Sequence, residues 1–258
     1  MRQAASVVIS ARDAAAHVRD CVKSASWADE VVVVVDDRTT DDTAALARAA
    51  GATVHVEPWR GGFGAQKAAA VLRAAGPWIF VLDADERFTP ELAVEVRQAT
   101  ASGACDAYEV SRKNHFGGVW VKHGGWWPDF ALRLFKKGAA RFDGRLVHER
   151  LLCDGPVGRL RAPLLHYTYE GVEDFLRRSD LYAELAAREA LRGGKRASRP
   201  ALLLRPPAAF VRMYLLQAGF LDGRLGLLLA RLYASYTLAK YRKVRSLSSE
   251  GETTGGSH

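Results

Sequence analysis

The sequence predicts an α/β fold: a Rossmann-like, mostly parallel sheet flanked by helices, followed by a helical C-terminal extension. The first half of the chain alternates short runs of β-branched residues with segments of helical periodicity, which is the pattern of a doubly wound sheet. The runs 31–35 and 78–82 are apolar throughout, so both faces of the sheet should be covered. Beyond residue 171, leucines recur at helical spacing among regularly placed cations, which predicts the helical extension.

Each element of the first ninety residues has its own local signal. Asp13 is a plausible N-cap for the helix after the first strand, and Thr40 or Asp41 caps the next helix. Thr89 and Pro90 begin a helix after the fourth strand. Strands are predicted over residues 6–10, 30–35, 53–56 and 78–82, with a helix after each of them. Parallel neighbours need such crossover connections, so these units build a mostly parallel sheet.

Two carboxylates separated by one alanine, Asp83 and Asp85, come directly after the fourth predicted strand. In an extended chain, residues i and i+2 point to the same side, so both can face one cation. Open α/β sheets bind ligands at this end of their strands. Mg²⁺ typically takes one or two protein carboxylates and completes its shell with water and substrate phosphates. The pair therefore indicates a metal and diphosphate site; the alternative interpretation is a solvated acidic turn before a helix.

Polar residues also follow the first two strands, in the segments 10–13 (Ser-Ala-Arg-Asp) and 36–38 (Asp-Asp-Arg). The carboxyl ends of parallel strands meet at one edge of the sheet, so these groups should line one crevice with the Asp83–Asp85 pair. Asp36 would accept a hydrogen bond from a base or ribose, and Lys67 would reach a phosphate as a point charge. The chain has neither a dinucleotide-binding fingerprint after the first strand nor a P-loop, so any nucleotide binds by another arrangement.

Charge and cysteine content restrict the partners and the compartment. The 258 residues carry 37 Lys and Arg against 29 Asp and Glu, a net charge of +8, which favours polyanionic partners. The cations concentrate among C-terminal leucines without a nucleic-acid recognition motif, so we expect an anionic membrane surface and no nucleic acid. Three cysteines without paired spacing, and no apolar signal segment at the start, predict a reducing cytosol.

Several motifs occur in a fixed order along most of the chain. In the first half they are residues 26–30 (SWADE), 35–43 (VDDRTTDDT), 62–67 (GFGAQK) and 82–86 (LDADE). In the second half they are residues 124–129 (GGWWPD), 132–135 (LRLF), 147–149 (VHE) and 165–167 (LHY). Together they resemble glycosyltransferase family 2, which has the GT-A nucleotide-sugar-binding fold. Within it, the set is most similar to the lipopolysaccharide inner-core transferases of the WaaE/KdtX type.

The resemblance implies an inverting, metal-dependent transfer of a sugar from a nucleotide-sugar donor, with a UDP-sugar favoured, to a lipid-linked glycan such as the lipopolysaccharide inner core. The implied cofactor is Mg²⁺ or Mn²⁺. Asp129 is the first candidate for the general base, because it follows an aromatic segment that could stack on a sugar ring, and Glu149 is the second. The expected metal ligands are Asp85, Asp83 and His148, with His166 as the alternative histidine. The expected nucleotide-sugar-binding residues are Ser10, Arg12, Asp13, Asp36, Arg38, Lys67 and Asp83.

The predicted domains are a GT-A domain over residues 1–170, a helical, basic extension over 171–246 and a disordered tail over 247–258. Residues 1–103 are the nucleotide-sugar-binding half of the first domain, and 104–170 are the acceptor and catalytic half. Helices predicted over 208–221 and 225–242 combine apolar bodies with regular cations, which indicates an interfacial pair on an anionic leaflet. The expected location is therefore cytoplasmic, peripheral on the inner face of the cytoplasmic membrane. The alternative is a helical pair packed on the domain or on a second subunit, so a homo-oligomer is left open.

The sequence also allows functions other than that of an active transferase. The family usually has Asn-Glu at residues 12–13, Ser-Gly-Ser at 37–39 and Arg-Asn at 67–68, and this chain departs from all three around the expected donor pocket. These departures leave open a catalytically inactive nucleotide-sugar- or membrane-binding module. A sugar nucleotidyltransferase is less favoured, because it would need an N-terminal Gly-rich phosphate loop. At Asp129 the alternative is a structural cap beside two core tryptophans.

Overall fold

The computed structural model describes residues 4–143, 150–193 and 198–254. Contacts within the chain group it into two compact units. The first comprises residues 1–114 and 129–168, and the second comprises residues 115–128 and 169–258. Each unit thus combines two separate segments of the chain, whereas the predicted domains are each one continuous segment. The predicted boundaries stay a prediction.

Four strands, each followed by a helix, begin the first unit. The strands are β1 (Ala5–Ala11), β2 (Glu30–Asp36), β3 (Thr53–Glu57) and β4 (Trp78–Asp83). The helices are α1 (Val18–Ser24), α2 (Thr43–Ala49), α3 (Phe63–Arg73) and α4 (Pro90–Ser102). The predicted strands are confirmed to within one residue at each end, because valine-rich apolar runs bounded by polar turns leave little freedom in their placement.

Two predicted caps are wrong and a third is confirmed. Helix α2 begins after Asp42 without a side-chain cap, so neither Thr40 nor Asp41 is its N-cap. Helix α1 begins at Val18, and Asp13 does not cap it. Instead, Oδ1 of Asp13 accepts hydrogen bonds from the backbone N–H of Thr40 at 2.8 Å and from its hydroxyl at 3.2 Å. Asp13 joins the loops after β1 and β2 in this way. At α4 the Oγ1 of Thr89 accepts from the N–H of Leu92 at 3.2 Å, as an N-cap does.

The central sheet combines these parallel strands with antiparallel ones from later in the chain. The later strands are β5 (Glu86–Arg87), β6 (Ala107–Phe116), β7 (Val119–Trp120), β8 (Asp129–Lys136), β9 (Ala140–Phe142), β10 (Leu151–Cys153), β11 (Val157–Arg159) and β12 (Leu164–Tyr169). The strand order is β3-β2-β1-β4-β8-β6-β12-β5. Strand β1 pairs in parallel with β2 and β4, and β8 pairs antiparallel with β4 and β6. The α/β prediction is therefore confirmed.

The parallel part of the sheet is covered on both faces. Alternate valines of β2 enter different apolar clusters: Val33 and Val35 pack on one face, Val32 and Val34 on the other. Side chains of α1, α2 and α4 cover the first face, and those of α3 cover the second. A strand buried on both sides needs apolar residues at every position, which explains the unbroken valine run.

The second unit is mainly helical. Its elements are α5 (Val172–Arg192), α6 (Arg199–Val211), a π-helical turn (Arg212–Leu216), a 3₁₀ turn (Gly219–Asp222) and α7 (Gly223–Thr254). Helix α6 begins before the predicted residue 208, because Ser198 caps it and Pro200 occupies its first turn. The core of the second unit includes Trp126, Phe175 and Leu229. Among the described residues, we find no helix whose length and apolar content would let it cross a bilayer.

Candidate active site

The predicted convergence of polar groups occurs at the carboxyl edge of the parallel strands in the first unit. Ser10 of β1 lies opposite Asp83 of β4 in the sheet register, and Asp36 ends β2 on the other side of β1. The topology explains this arrangement, since three adjacent parallel strands end at the same edge.

Asp36 forms an ion pair with the exposed Arg38 at this edge. Its carboxylate is almost completely buried and accepts two hydrogen bonds from the Arg38 side chain, from Nε at 3.0 Å and from Nη2 at 2.6 Å. These bonds, together with the charge of Arg38, outweigh burial and lower the pKa of Asp36. Arg12 lies 4.0 Å away, and the guanidinium of Arg38 lies over the Trp59 ring at 4.9 Å. Asp36, Arg38 and Arg12 therefore form one cluster beside an aromatic surface.

Asp83 is held by two cations. Its Oδ1 lies 2.5 Å from Nζ of Lys67, and its Oδ2 lies 2.7 Å from Nη2 of Arg133. Burial opposes the charge of Asp83, but Arg133 and Lys67 outweigh it and hold the pKa of this carboxyl well below its usual range. Lys67, which is predicted to bind a phosphate, thus lies beside Asp83.

Glu86 contacts both the backbone of Asp83 and its partner Arg133. It is fully buried, accepts from the N–H of Asp83 at 3.0 Å and accepts from Arg133 at 2.6 Å. Nη1 of Arg112 lies 3.7 Å from the same carboxylate. A buried carboxylate with these partners orients the loop after β4. The complete burial of Glu86 favours a structural role for this carboxylate.

Asp85 faces a histidine. Its Oδ1 lies 3.5 Å from Nε2 of His166, and its carbonyl accepts from the N–H of Tyr167 at 2.9 Å. Nδ1 of His166 lies 2.6 Å from Oδ1 of Asn114. Burial lowers the pKa of His166, but the charge of Asp85 raises it, with a net increase. Both side chains keep some exposure, 22% for Asp85 and 13% for His166.

Asp129 lies at the other end of the same chain of contacts. Its Oδ2 accepts from Nδ2 of Asn114 at 3.0 Å and forms an ion pair with Arg112 at 2.7 Å. Asn114 therefore bridges His166 and Asp129, and a continuous series of polar contacts runs from Asp85 to Asp129. With 31% of its side chain exposed, Asp129 is accessible to a ligand.

The fit of a divalent cation can be judged from Asp85 and His166. Ligand atoms about 2.1 Å from Mg²⁺ and at right angles lie about 3 Å apart, close to the 3.5 Å between Oδ1 and Nε2. These two residues thus fit one ion that takes its other ligands from water and substrate. Across residues 4–143, 150–193 and 198–254 there is no group of three or more His, Cys, Asp or Glu arranged to hold a metal. The predicted ligand His148 and the alternative base Glu149 lie outside the described residues.

The aromatic segment before Asp129 belongs to the second unit. Trp126 is buried against Tyr169 and Tyr233, so it is a core residue there. Trp127 is half-buried and meets Trp120 edge-on, with ring centroids 5.5 Å apart. Of the two tryptophans, Trp127 is therefore the less buried one.

Sequence reasoning missed the roles of Arg133 and Asn114. Arg133 is almost fully buried on β8 and bonds to both Asp83 and Glu86. An arginine within the apolar segment Leu132-Arg133-Leu134-Phe135 is a usable signal, because a buried guanidinium needs carboxylate partners. The position of Asn114 in the long strand β6 has no comparable signal.

Comparison with known proteins identifies the family. Residues 6–155 match the model of glycosyl transferase family 2. The chain belongs to glycosyltransferase family 2. The predictions of a GT-A fold and of a glycosyltransferase are confirmed, and the matched region includes the parallel strands, the Asp83–Asp85 pair and Asp129.

Full-length relatives agree with this assignment. The chain is 31% identical over 245 residues to the lipopolysaccharide core biosynthesis glycosyltransferase LpsC of Rhizobium meliloti, covering 87% of each chain. It is 25% identical over 255 residues to an uncharacterized glycosyltransferase of Rickettsia typhi, covering 94% of this chain and 87% of the relative. Its fold is similar to Staphylococcus aureus TarS, solved in complex with UDP-GlcNAc, with a TM-score of 0.50, 15% identity and coverage of 96% and 92%. The family 2 transferase is thus a homologue of lipopolysaccharide core glycosyltransferases.

Proposed function

We propose that the protein is an inverting glycosyltransferase that moves a sugar from a nucleotide-sugar donor to a lipid-linked glycan, such as the lipopolysaccharide inner core. The observation that carries this proposal is the continuous series of contacts from Asp85 through His166 and Asn114 to Asp129. A pair that would bind a cation and a carboxylate that would accept a proton are the two parts that this transfer needs, and the series of contacts supports assigning both to one site.

The donor would bind along the carboxyl edge of β1, β2 and β4. Asp36 and Arg38 offer charged hydrogen-bonding groups for the base or ribose, beside the Trp59 ring. Lys67 is a cation beside Asp83, where a diphosphate would meet it. Arg12, Asp13 and Ser10 complete this predicted donor set. A UDP-sugar is the favoured donor, as TarS was solved with UDP-GlcNAc.

Asp85 and His166 would hold Mg²⁺ or Mn²⁺, while Asp83 and His148 stay predicted ligands. Bound there, the cation supplies charge neutralisation for the departing diphosphate. The Oδ1 of Asp85 lies 3.5 Å from Nε2 of His166, which favours Asp85 as the carboxylate that would share a cation with this histidine. The sequence Asp-Ala-Asp would in this way assign different roles to its two acids.

Asp129 would act as the general base, with Glu149 as the alternative. The oxygen of an acceptor hydroxyl attacks the anomeric carbon, its proton passes to the Asp129 carboxylate, and the bond from the anomeric carbon to the diphosphate breaks. The electron pair of that bond leaves with the nucleoside diphosphate. Arg112 and Asn114 orient the carboxylate, so proton transfer requires little rearrangement. The enzyme would work at the inner face of the cytoplasmic membrane, where a lipid-linked acceptor is accessible.

Release of nucleoside diphosphate from a panel of nucleotide-sugars tests the proposal. The purified protein should hydrolyse at least one donor slowly with Mn²⁺ or Mg²⁺, and lose this activity with a chelator. Asp85→Ala should abolish the metal-dependent part. The metal assignment fails if turnover and nucleotide affinity are unchanged in that variant.

A further inference from the structure

The helical hairpin of the second unit exposes an unusual amount of apolar surface. Helix α6 and the π-helical turn form one arm, the 3₁₀ turn forms the bend, and α7 forms the other arm. Between residues 203 and 221 the large exposed hydrophobic side chains are Leu203, Leu204, Val211, Leu215, Leu216, Phe220 and Leu221. Leu216 at the bend is 78% exposed. Surface apolar residues scattered singly need no explanation, but a concentration of this kind marks an interaction surface.

These side chains are organised along the hairpin. Leu204, Ala208, Val211 and Leu215 are all exposed and follow the spacing i, i+4, i+7 and i+11, which places them on one stripe of the arm. The opposite side of this arm contributes Phe210, Met213 and Tyr214 to the core of the unit. We call Val211–Arg224 the hairpin tip. Each arm is therefore packed on its inner face, while Leu215, Leu216 and Leu221 of the tip, like the outer stripe, are exposed.

The charge of the hairpin has one sign. Residues 199–248 contain nine Lys and Arg and one acid, Asp222, so this segment carries the net charge of +8 and the rest of the chain is balanced. Arg205, Arg212 and Arg224 are exposed among the leucines. Asp222 does not neutralise this surface, because only 10% of its side chain is exposed and its carboxylate bonds inward to His123.

We propose that the hairpin tip docks on an anionic lipid surface. Leucine and phenylalanine side chains at the bend would enter the interfacial region, and Arg212 and Arg224 beside them would meet phosphate headgroups. Charge complementarity favours lipid over a second copy of this chain, because a symmetric contact would place two strongly cationic tips against each other. The proposed docking is interfacial.

The tip is bonded directly to the loop that leads into Asp129. Oδ2 of Asp222 accepts from the N–H groups of Lys122 at 3.2 Å and His123 at 2.8 Å, and its Oδ1 lies 2.9 Å from Nδ1 of His123. The N–H of Gly124 donates to the carbonyl of Gln217 at 2.9 Å. Gly124 and Gly125 have positive φ angles of 67° and 80°, which favour glycine. Lipid docking would therefore hold the loop ahead of the proposed base, an inference that rests on the proposed function.

Vesicle flotation tests the docking itself. Wild-type protein should bind vesicles of phosphatidylcholine that contain phosphatidylglycerol, bind pure phosphatidylcholine much less, and lose affinity as salt rises. Leu215→Ser/Leu216→Ser/Leu221→Ser should weaken binding roughly tenfold or more. Arg212→Gln/Arg224→Gln should weaken it about fivefold per arginine. The controls are Leu72→Ser/Val94→Ser/Leu152→Ser and Arg19→Gln/Arg48→Gln, which change exposed residues of the first unit and should bind as wild type.

Undiminished binding of either tip variant would overturn the proposal, as would wild-type protein that does not prefer anionic vesicles. A tip variant that changes only the oligomeric state would also overturn it and assign the surface to self-association. Donor hydrolysis in solution should be unchanged in the tip variants, since these side chains are remote in sequence from the donor site. If no variant and no wild-type sample hydrolyses any donor, the proposed function fails while vesicle binding still decides the docking surface.

Discussion

Asp83 and Asp85 lie two residues apart, yet their carboxylates have opposite surroundings. Asp83 meets Lys67 and Arg133, and the buried Glu86 binds the same arginine. Asp85 meets His166, and from there hydrogen bonds lead through Asn114 to a partly exposed acid, Asp129. Two cations hold the carboxylate of Asp83, whereas the carboxylate of Asp85 faces an imidazole. A two-acid motif can therefore divide structural and chemical tasks between its members.

The largest effect on activity is expected at Asp129, which ends the series of contacts that begins at Asp85. Asp129→Asn removes the proposed proton acceptor while preserving the hydrogen bond with Asn114, so transfer should fall by about 10²- to 10⁴-fold. Donor affinity, measured by calorimetry with the nucleoside diphosphate, should be unchanged. Asp154→Asn, which alters an exposed acid of the same unit, is the control. A parallel loss of donor binding would mean that Asp129 is structural.

The largest effect on stability is expected on the Asp83 side. Arg133→Met leaves the buried Glu86 and Asp83 without their shared cation, and breaking such a buried pair costs about 3–5 kcal/mol of unfolding free energy. Urea unfolding at pH 7 measures the loss. Arg141→Met, at an exposed ion pair with Asp154, should leave stability unchanged. If both variants were equally stable, the Asp83 side would not be the structural half of the motif.

A smaller effect on activity is expected at Asn114, which bridges His166 and Asp129. Asn114→Ala removes the hydrogen bond to the Asp129 carboxylate and the contact with Nδ1 of His166, but leaves the ion pair of Asp129 with Arg112. Since a hydrogen bond to a charged group contributes about 1.5–3 kcal/mol, transfer should fall on the order of tenfold to a hundredfold. Steady-state rates, with thermal unfolding to exclude a folding defect, test this. An unchanged rate would contradict a positioning role for Asn114.

Much of the Asp83–Asp85 edge could be predicted from the sequence. Ser10, Asp36 and Asp83 converge because adjacent parallel strands end at one edge, a consequence of topology that apolar runs and helix caps reveal. The Asp85–Asp129 side could not be predicted in the same way. Asn114, Asp129 and His166 come from β6, β8 and β12, whose order in the sheet does not follow the sequence.

The register of those antiparallel strands decides which side chains meet. A shift of one residue would turn Arg112 and Asn114 to the opposite face of β6, and no local pattern fixes that register. The irregularity between Tyr108 and Glu109, where the pairing with β8 shifts, is equally invisible in the sequence. Local signals thus predict where a strand ends, but long-range pairing determines the partners of Asp85 and Asp129.

Mn²⁺ binding by matched variants tests the division between the two acids most directly. Titration of Mn²⁺ by electron paramagnetic resonance, in the presence of UDP, would compare wild-type protein with Asp85→Asn and Asp83→Asn. We predict that Asp85→Asn weakens Mn²⁺ binding more than Asp83→Asn does, because Asp85 is the carboxylate that faces His166. Equal Mn²⁺ affinity in wild type and Asp85→Asn, or a larger loss in Asp83→Asn, would contradict this account.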